Sequence, residues 1–172
     1  MRSFPLAPMD GLIRATTIVA LPLPLIFPIL ATLPMPFPQL RWVMWGVFAF
    51  LALMWLGIWT LMRPTRFEVS HAGLRIVWPM RERMITRHQL ESAEVLSNAE
   101  FRKRYGWGMR VGAGGLWGGF GMLVTPSQRF SLWISRIDPL VVVKLTDDKP
   151  LLITPAEPER FVAELALVLA QA

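Results

Sequence analysis

The fold of this chain is decided by ATTIVALPLPLIFPILATL (residues 15–33) and, after eight intervening residues, WVMWGVFAFLALMWLGIWTLM (residues 42–62). Neither stretch contains Asp, Glu, Lys, Arg or His. At 1.5 Å per helical residue, each stretch is roughly 28–32 Å long, which matches the hydrocarbon thickness of a bilayer. We therefore predict a transmembrane hairpin in residues 1–63, with spans at about 13–33 and 42–62, followed by a water-facing domain at 64–172.

Proline residues distinguish the first span from the second. Pro22, Pro24 and Pro28 each remove a backbone donor from the first stretch. Prolines are tolerated in a membrane where neighbouring groups re-satisfy the backbone. The sequence thus predicts a kinked first helix. We expect it to be a plain anchor and not a transport path, because three threonines are the only polar side chains in that stretch.

Arginines around the two spans predict the orientation. Arg2 and Arg14 precede the first span, and Arg63 and Arg66 follow the second, whereas the short loop 34–41 carries only Arg41. Positively charged residues favour the cytoplasmic side of a membrane. Both termini and the C-terminal domain should therefore be cytoplasmic, with the loop outside.

The composition argues against several classes of function. The chain has no cysteine, which excludes disulfides, thiolate chemistry and Cys-based zinc sites. From Arg63 onward, 15 Lys and Arg face 11 Asp and Glu, a bias too moderate for a nucleic-acid-binding surface. The only histidines, His71 and His88, match no metal-binding or catalytic motif. We expect no cofactor and no catalysis; an enzyme or metal protein centred on either histidine is the least favoured alternative.

Beyond residue 63, apolar and polar residues alternate with a period of two, which is typical of half-buried strands. Residues 94–104 are ambiguous, and there we expect a strand that breaks into a loop. In chain order, the predicted strands are 66–70, 74–78, 82–87, one that starts near 94, 129–135, 140–146 and 151–153.

A C-terminal helix follows the last strand. Thr154 and Glu157 have the spacing of a capping box, with Pro155 at the first helical position and Pro158 within the first turn. Helical spacing then places four apolar residues on one face, which should close the open end of a curved sheet. These residues are Phe161, Leu165, Val168 and Leu169.

Four segments in this order resemble the bacterial PH (pleckstrin homology)-like domain membrane proteins, a family of mostly unknown function. The segments are FEVSHAGLRIV (67–77), MITRHQL (84–90), YGWGMRVGAGGLWGGFG (105–121) and LLITPAEPERFVAEL (151–165). The resemblance spans about residues 64–170, and the two preceding spans fit the family's layout.

This resemblance implies an α+β fold: a two-helix transmembrane hairpin, then a PH-like β-barrel or sandwich of about seven antiparallel strands capped by a C-terminal α-helix. It also implies a multi-pass protein of the bacterial inner membrane. Eukaryotic PH domains usually carry a tryptophan in the closing helix, where this chain offers only Phe161. That difference favours the bacterial branch and argues against phosphoinositide binding.

Eight of the twelve glycines lie between Gly106 and Gly121. The segment contains no lysine and no phosphate-binding motif, so a phosphate cradle is not favoured. We expect a long hairpin or bulged strand pair in which glycines permit tight turns and close backbone approach. An apolar loop that dips into the membrane interface remains the alternative, because tryptophans interleave the glycines.

A basic cluster and this glycine-rich segment together form the candidate lipid or partner surface. We expect a membrane-anchored, non-enzymatic interaction module that binds another membrane or cytoplasmic protein. The alternative is a sensor of anionic lipid headgroups, and homo-oligomerisation stays open. The candidate residues are Arg102, Lys103, Arg104, Trp107, Arg110, Trp117 and Phe120.

Overall fold

A computed structural model describes residues 1–34 and 37–170 of the chain. Part of the predicted loop 34–41 and the last two residues of the predicted domain 64–172 lie outside the described residues. The described chain is α+β, with two apolar helical segments, two β-sheets and a C-terminal helix.

The first apolar segment is broken at its prolines. Helix α1 (Gly11–Ala20) ends before Pro22, a 3₁₀ turn occupies Leu23–Leu25, and helix α2 (Ile26–Ala31) completes the segment. Proline cannot supply the backbone donor that a continuous α-helix needs at that position. The predicted kink is therefore confirmed.

The second apolar segment is continuous. Helix α3 (Gln39–Gly57) runs on into a π-helical turn at Ile58–Met62. The two segments, Gly11–Ala31 and Gln39–Met62, are long and apolar enough to cross a membrane. No residue of the second segment is buried inside the protein. A helix in the core of a soluble protein would be mostly buried.

Ten strands among the described residues form two sheets. The first has the order β1-β2-β3-β4 and is antiparallel; the second has the order β5-β9-β10-β8-β7-β6 and is antiparallel except between β8 and β10. The described strands do not close into one barrel. They are β1 (Arg2–Pro5), β2 (Arg66–Ser70), β3 (Gly73–Val77), β4 (Glu82–Thr86), β5 (Leu90–Leu96), β6 (Met109–Gly114), β7 (Gly119–Val124), β8 (Arg129–Ile134), β9 (Leu140–Leu145) and β10 (Leu151–Ile153).

Nine of these strands follow residue 63, where about seven were predicted. The difference comes from the glycine-rich segment, which forms the antiparallel hairpin β6–β7. In its register Gly112 faces Gly121 and Gly114 faces Gly119, so glycines pair across the hairpin. The hairpin interpretation of this segment is confirmed.

The strand predicted to start near residue 94 is present but begins at Leu90, and the loop predicted after it was wrong. Strand β5 ends at Leu96, and helix α4 (Asn98–Tyr105) follows directly. Ser97 caps this helix in a capping box: its side chain accepts from the backbone N–H of Glu100, while the Glu100 carboxylate accepts from the Ser97 backbone. Two otherwise unpaired backbone donors are thereby satisfied.

The chain before the first span also belongs to a sheet. Strand β1 pairs with β2, and Leu6 forms an isolated bridge with Pro155. The start of the chain and the segment after the second span therefore lie side by side. From the sequence, these first residues were predicted only as part of the transmembrane hairpin 1–63.

Two apolar clusters lie on opposite faces of the six-stranded sheet. The larger fills the space between the two sheets and includes the C-terminal helix α5 (Pro158–Ala170), whose Phe161, Leu165 and Val168 are buried. The smaller lies under α4, whose Phe101 and Tyr105 pack on the sheet. The predicted apolar face of α5 is confirmed.

The predicted start of α5 was wrong. The helix begins at Pro158, and Thr154 does not cap it. The Thr154 hydroxyl is buried and instead accepts from the backbone N–H of Ser135 at 2.9 Å. A tertiary hydrogen bond has replaced the local cap.

Candidate functional site

The three basic residues of α4 have different surroundings. Arg104 donates to both carboxylate oxygens of Glu94, at 2.5 and 2.6 Å. This pairing raises the pKa of Arg104 above its usual value and neutralises its charge locally. Arg102 and Lys103 pair with no carboxylate among the described residues, so they carry the net positive charge of the helix.

Trp107 forms the most exposed aromatic part of the surface. It follows α4 directly and is 74% exposed. The guanidinium of Arg102 lies over its ring, 4.0 Å from the centroid. Cation–π contact at such an exposed site contributes about 0.5–1 kcal/mol, enough to orient both side chains.

Arg110 lies along the glycine face of the β6–β7 hairpin. A Cβ on Gly119 would come within 2.9 Å of the Arg110 Cζ, and one on Gly114 within 2.9 Å of its Nη1. Glycine at these two positions therefore leaves the space that the guanidinium occupies. Arg110 forms no ion pair within the described part of the chain.

The tip of this hairpin, residues 114–119, contacts the first apolar segment. The Trp117 N–H donates to the Thr17 hydroxyl at 2.9 Å, and the Thr16 hydroxyl donates to the Gly115 carbonyl at 3.0 Å. Trp117 has a φ of 57°, which is uncommon for a residue other than glycine. Its contacts hold this conformation in place.

Trp117 also contacts the second apolar segment. Its ring packs edge-to-face on Trp59, with centroids 4.9 Å apart. Arg63 covers the Trp59 ring at 4.4 Å, and burial lowers the pKa of Arg63. The hairpin tip thus lies against both apolar segments, close to their junctions with the sheet domain.

Two further hydrogen bonds attach the sheet domain to the helix ends. Asp10 caps α1 by accepting from the Ile13 N–H, and its second oxygen accepts from the Ile137 N–H at 2.8 Å. Trp78 donates from Nε1 to the Met62 carbonyl at 3.0 Å. The domain is therefore fixed at the beginning of α1 and at the end of the second segment.

Phe120 does not belong to the exposed surface. It is fully buried in the core between the sheets, and its neighbour across the strands is Trp133. Successive side chains of a strand point to opposite faces, and Phe120 points from β7 into this core. Arg104 is paired with Glu94 and Trp117 is packed on Trp59, so these two residues also leave the candidate surface. The remaining residues, Arg102, Lys103, Trp107 and Arg110, are termed the α4–β6 surface.

A cavity of about 200 Å³ opens beneath α4, between the helix and the six-stranded sheet. Its floor is apolar, and both Arg102 and Arg110 line it. We term it the α4 cavity. Its apolar lining comes mainly from Phe101, Leu123, Leu132, Ile134, Leu140 and Leu152.

The two histidines lie in different connections at the same end of the first sheet, where the Arg87 N–H donates to the Ala72 carbonyl at 3.1 Å. His71 lies in the turn between β2 and β3, and His88 in a 3₁₀ turn after β4. Among residues 1–34 and 37–170, no group of three or more His, Asp and Glu is arranged to hold a metal ion.

The residues that attach the domain to the helices could not be predicted from the sequence. Asp10 immediately before an apolar helix is a recognisable capping signal, but its second partner is 127 residues away. Thr17 and Trp59 were treated only as parts of the spans. Their contacts with Trp117 arise from the tertiary fold and leave no local pattern.

Comparison with known proteins gives no relative: no protein-family model, no curated protein and no solved structure matches this chain. Functional inference therefore depends on the geometry described above.

Proposed function

We propose that this chain is a membrane-anchored interaction module of the bacterial inner membrane. Its two apolar segments cross the bilayer, and a PH-like sheet domain lies on the cytoplasmic side. It binds another membrane or cytoplasmic protein as a non-enzymatic accessory or scaffold. The same anchoring leaves homo-oligomerisation possible.

One observation carries this proposal: the sheet domain is attached to both apolar segments. Trp117 contacts Thr17 and Trp59, while Ile137 and Trp78 bond to the helix ends. A domain attached at several points has one orientation relative to its helices. A fixed orientation suits a platform that presents one surface to a partner.

The α4–β6 surface has the composition of a protein-binding site. Aromatic residues and arginine are enriched in interfaces, and they dominate the energetic hot spots. Trp107 is exposed and oriented by Arg102, and strand β6 is an edge strand with its backbone available for pairing. Surfaces of this kind favour binding over catalysis.

Site-specific photo-crosslinking in native membranes tests the proposal. A photoreactive side chain at Trp107 should give one discrete heterologous adduct, which the charge reversals Arg102→Glu and Lys103→Glu abolish. The matched control is the same photoreactive group at Asp147. This residue is exposed in the turn between β9 and β10 and does not belong to the α4–β6 surface. Identical adducts from both positions, or none from Trp107, would contradict a partner site at this surface.

A second candidate function, contact with anionic lipid headgroups, is favoured by the hairpin tip. The tip lies against both apolar segments, and Arg102, Lys103 and Arg110 are unpaired cations of the same domain. Each cation near an anionic leaflet contributes about 1 kcal/mol.

Hydrogen exchange of the full chain in liposomes distinguishes this candidate. Anionic lipid should protect residues 102–111 relative to neutral lipid, and high salt should remove that protection. Equal exchange in both lipids excludes the lipid-sensing function and leaves the protein-binding one.

A further inference from the structure

We propose that the α4 cavity binds the acidic end of a membrane amphiphile. A carboxylate or phosphate is held by Arg110 and Arg102, and the first part of the hydrocarbon chain lies on the apolar floor. The inference depends on the membrane attachment in the proposed function, but it does not require a protein partner.

The charge of the cavity wall selects an anion. Two arginines line the cavity, and none of its described lining residues is acidic. A guanidinium donates two parallel hydrogen bonds to one carboxylate or phosphate, which makes arginine suited to such groups. Neither guanidinium forms an ion pair with a carboxylate among the described residues, so both are available to an anionic ligand.

The Arg110 guanidinium occupies a space that two glycines leave open on the cavity wall. A Cβ on Gly114 or Gly119 would come within 3 Å of it, so a larger side chain at either position would displace it. Arg102 is oriented by its contact with Trp107, so less side-chain freedom is lost when Arg102 binds a ligand.

The floor of the cavity selects hydrocarbon. Leu132, Leu140 and Leu152 form its base and are almost completely buried, whereas the lining residues Leu123 and Ile137 are only half-buried. An acyl chain that covers these two side chains gains about 25 cal/mol per Å² of apolar surface removed from water. A purely polar anion such as inorganic phosphate would leave them uncovered.

The position of the cavity explains how a membrane amphiphile reaches it. Ile137 lines the cavity, and its N–H bonds to Asp10, the residue that caps α1. The glycine face that carries Arg110 continues to the hairpin tip, which bonds to Thr17 within α1. The cavity is thus adjacent to the beginning of the first apolar segment.

The volume limits how much of the ligand enters. A cavity of about 200 Å³ is smaller than the roughly 300–1,000 Å³ of a typical drug-sized site. It accommodates a headgroup acid and a short part of one chain. The remaining hydrocarbon stays with the bilayer.

Native mass spectrometry of the full chain, released from nanodiscs, tests the inference. The discs contain neutral phosphatidylcholine with a minor fraction of either phosphatidylglycerol or oleate. We expect one retained acidic amphiphile per chain. Retention of phosphatidylglycerol alone identifies a phospholipid, and retention of oleate alone identifies a free fatty acid; either result supports the shared site.

Two variants with matched controls locate the bound molecule. Arg110→Gln should reduce retention by roughly tenfold, whereas Arg129→Gln, at an exposed arginine outside the cavity, should not.

Ile137→Trp fills the cavity without changing its charge and should abolish retention. Val111→Trp adds the same ring to an exposed strand position outside the cavity and should leave retention unchanged.

Failure of this inference is separable from failure of the proposed function. No retained amphiphile, or equal retention in the wild type, Arg110→Gln and Ile137→Trp, overturns the cavity site. Alkaline carbonate extraction of the same membranes tests the anchoring independently. A chain that resists extraction but retains no amphiphile keeps its proposed function and loses only this site.

Discussion

Phe120 and Trp107 show how differently two aromatic residues of one segment contribute. Phe120 is completely buried, whereas Trp107 is 74% exposed. Phe120→Ala should lower the free energy of unfolding by about 3–5 kcal/mol, because it leaves a cavity in the core. Trp107→Ala should lower it by about 1 kcal/mol or less, because only the cation–π contact with Arg102 is lost. Urea unfolding of the detergent-solubilised chain measures both, and equal effects would place Phe120 outside the core.

Thr17 is the residue through which α1 holds the hairpin tip. Thr17→Val removes the acceptor of the Trp117 N–H while keeping the side-chain shape, so the tip should exchange its amide hydrogens faster. Thr17→Ser keeps the hydroxyl and is the matched control. Hydrogen exchange of a peptide covering residues 114–119 gives the readout. Unchanged exchange in Thr17→Val would mean that this bond does not fix the tip.

At the scale of elements, α4 depends on its cap. Ser97→Ala should lower the free energy of unfolding by about 1 kcal/mol, because the first turn loses its side-chain acceptor. Asn98→Ala, which keeps the cap, is the control. Thermal unfolding compares the two variants, and equal stabilities would show that the cap contributes nothing to this short helix.

The cap also predicts a pH dependence. Hydrogen bonds from the Ser97 side chain and then its backbone lower the pKa of Glu100. A carboxyl with a lowered folded-state pKa stabilises the fold above its unfolded-state pKa, and this contribution is lost as the pH falls through the lowered value. Glu100→Gln should therefore flatten the acid side of the stability profile. A profile identical to the wild type would contradict the ionised cap.

Elements with strong local patterns were predictable from the sequence. The strands β2, β3, β8, β9 and β10 follow alternation or continuous apolar runs, and the two apolar segments follow composition. Strand β1 is four residues long and contains a proline, and its partner is more than sixty residues away. Helix α4 is eight residues long, so its capping signal was outweighed by the preceding strand pattern.

The candidate site was predictable only in part, because its contacts join segments that form different elements of the fold. Residue type and charge made Arg102, Lys103, Trp107 and Arg110 candidates for a binding surface, and they stay candidates. Sequence alone could not show that Glu94 neutralises Arg104, because that pair joins a strand to the following helix. The sequence also could not show the α4 cavity. This cavity forms where α4 packs on a sheet whose strands have a different order in space than in the chain.

At the scale of the whole molecule, we propose that the two apolar segments cross a membrane and hold the sheet domain on the cytoplasmic side. The absence of cysteine allows single reporters without background labelling. Phe37, just before α3, and Asp147, in the turn before β10, are both exposed. The proposed topology places these residues on opposite sides of the membrane.

Labelling of intact cells with a membrane-impermeant maleimide is the most direct test of this claim. Phe37→Cys should react in intact cells, whereas Asp147→Cys should react only after the membrane is permeabilised. Reaction of both variants in intact cells, or of neither, would contradict the hairpin and the cytoplasmic location of the sheet domain.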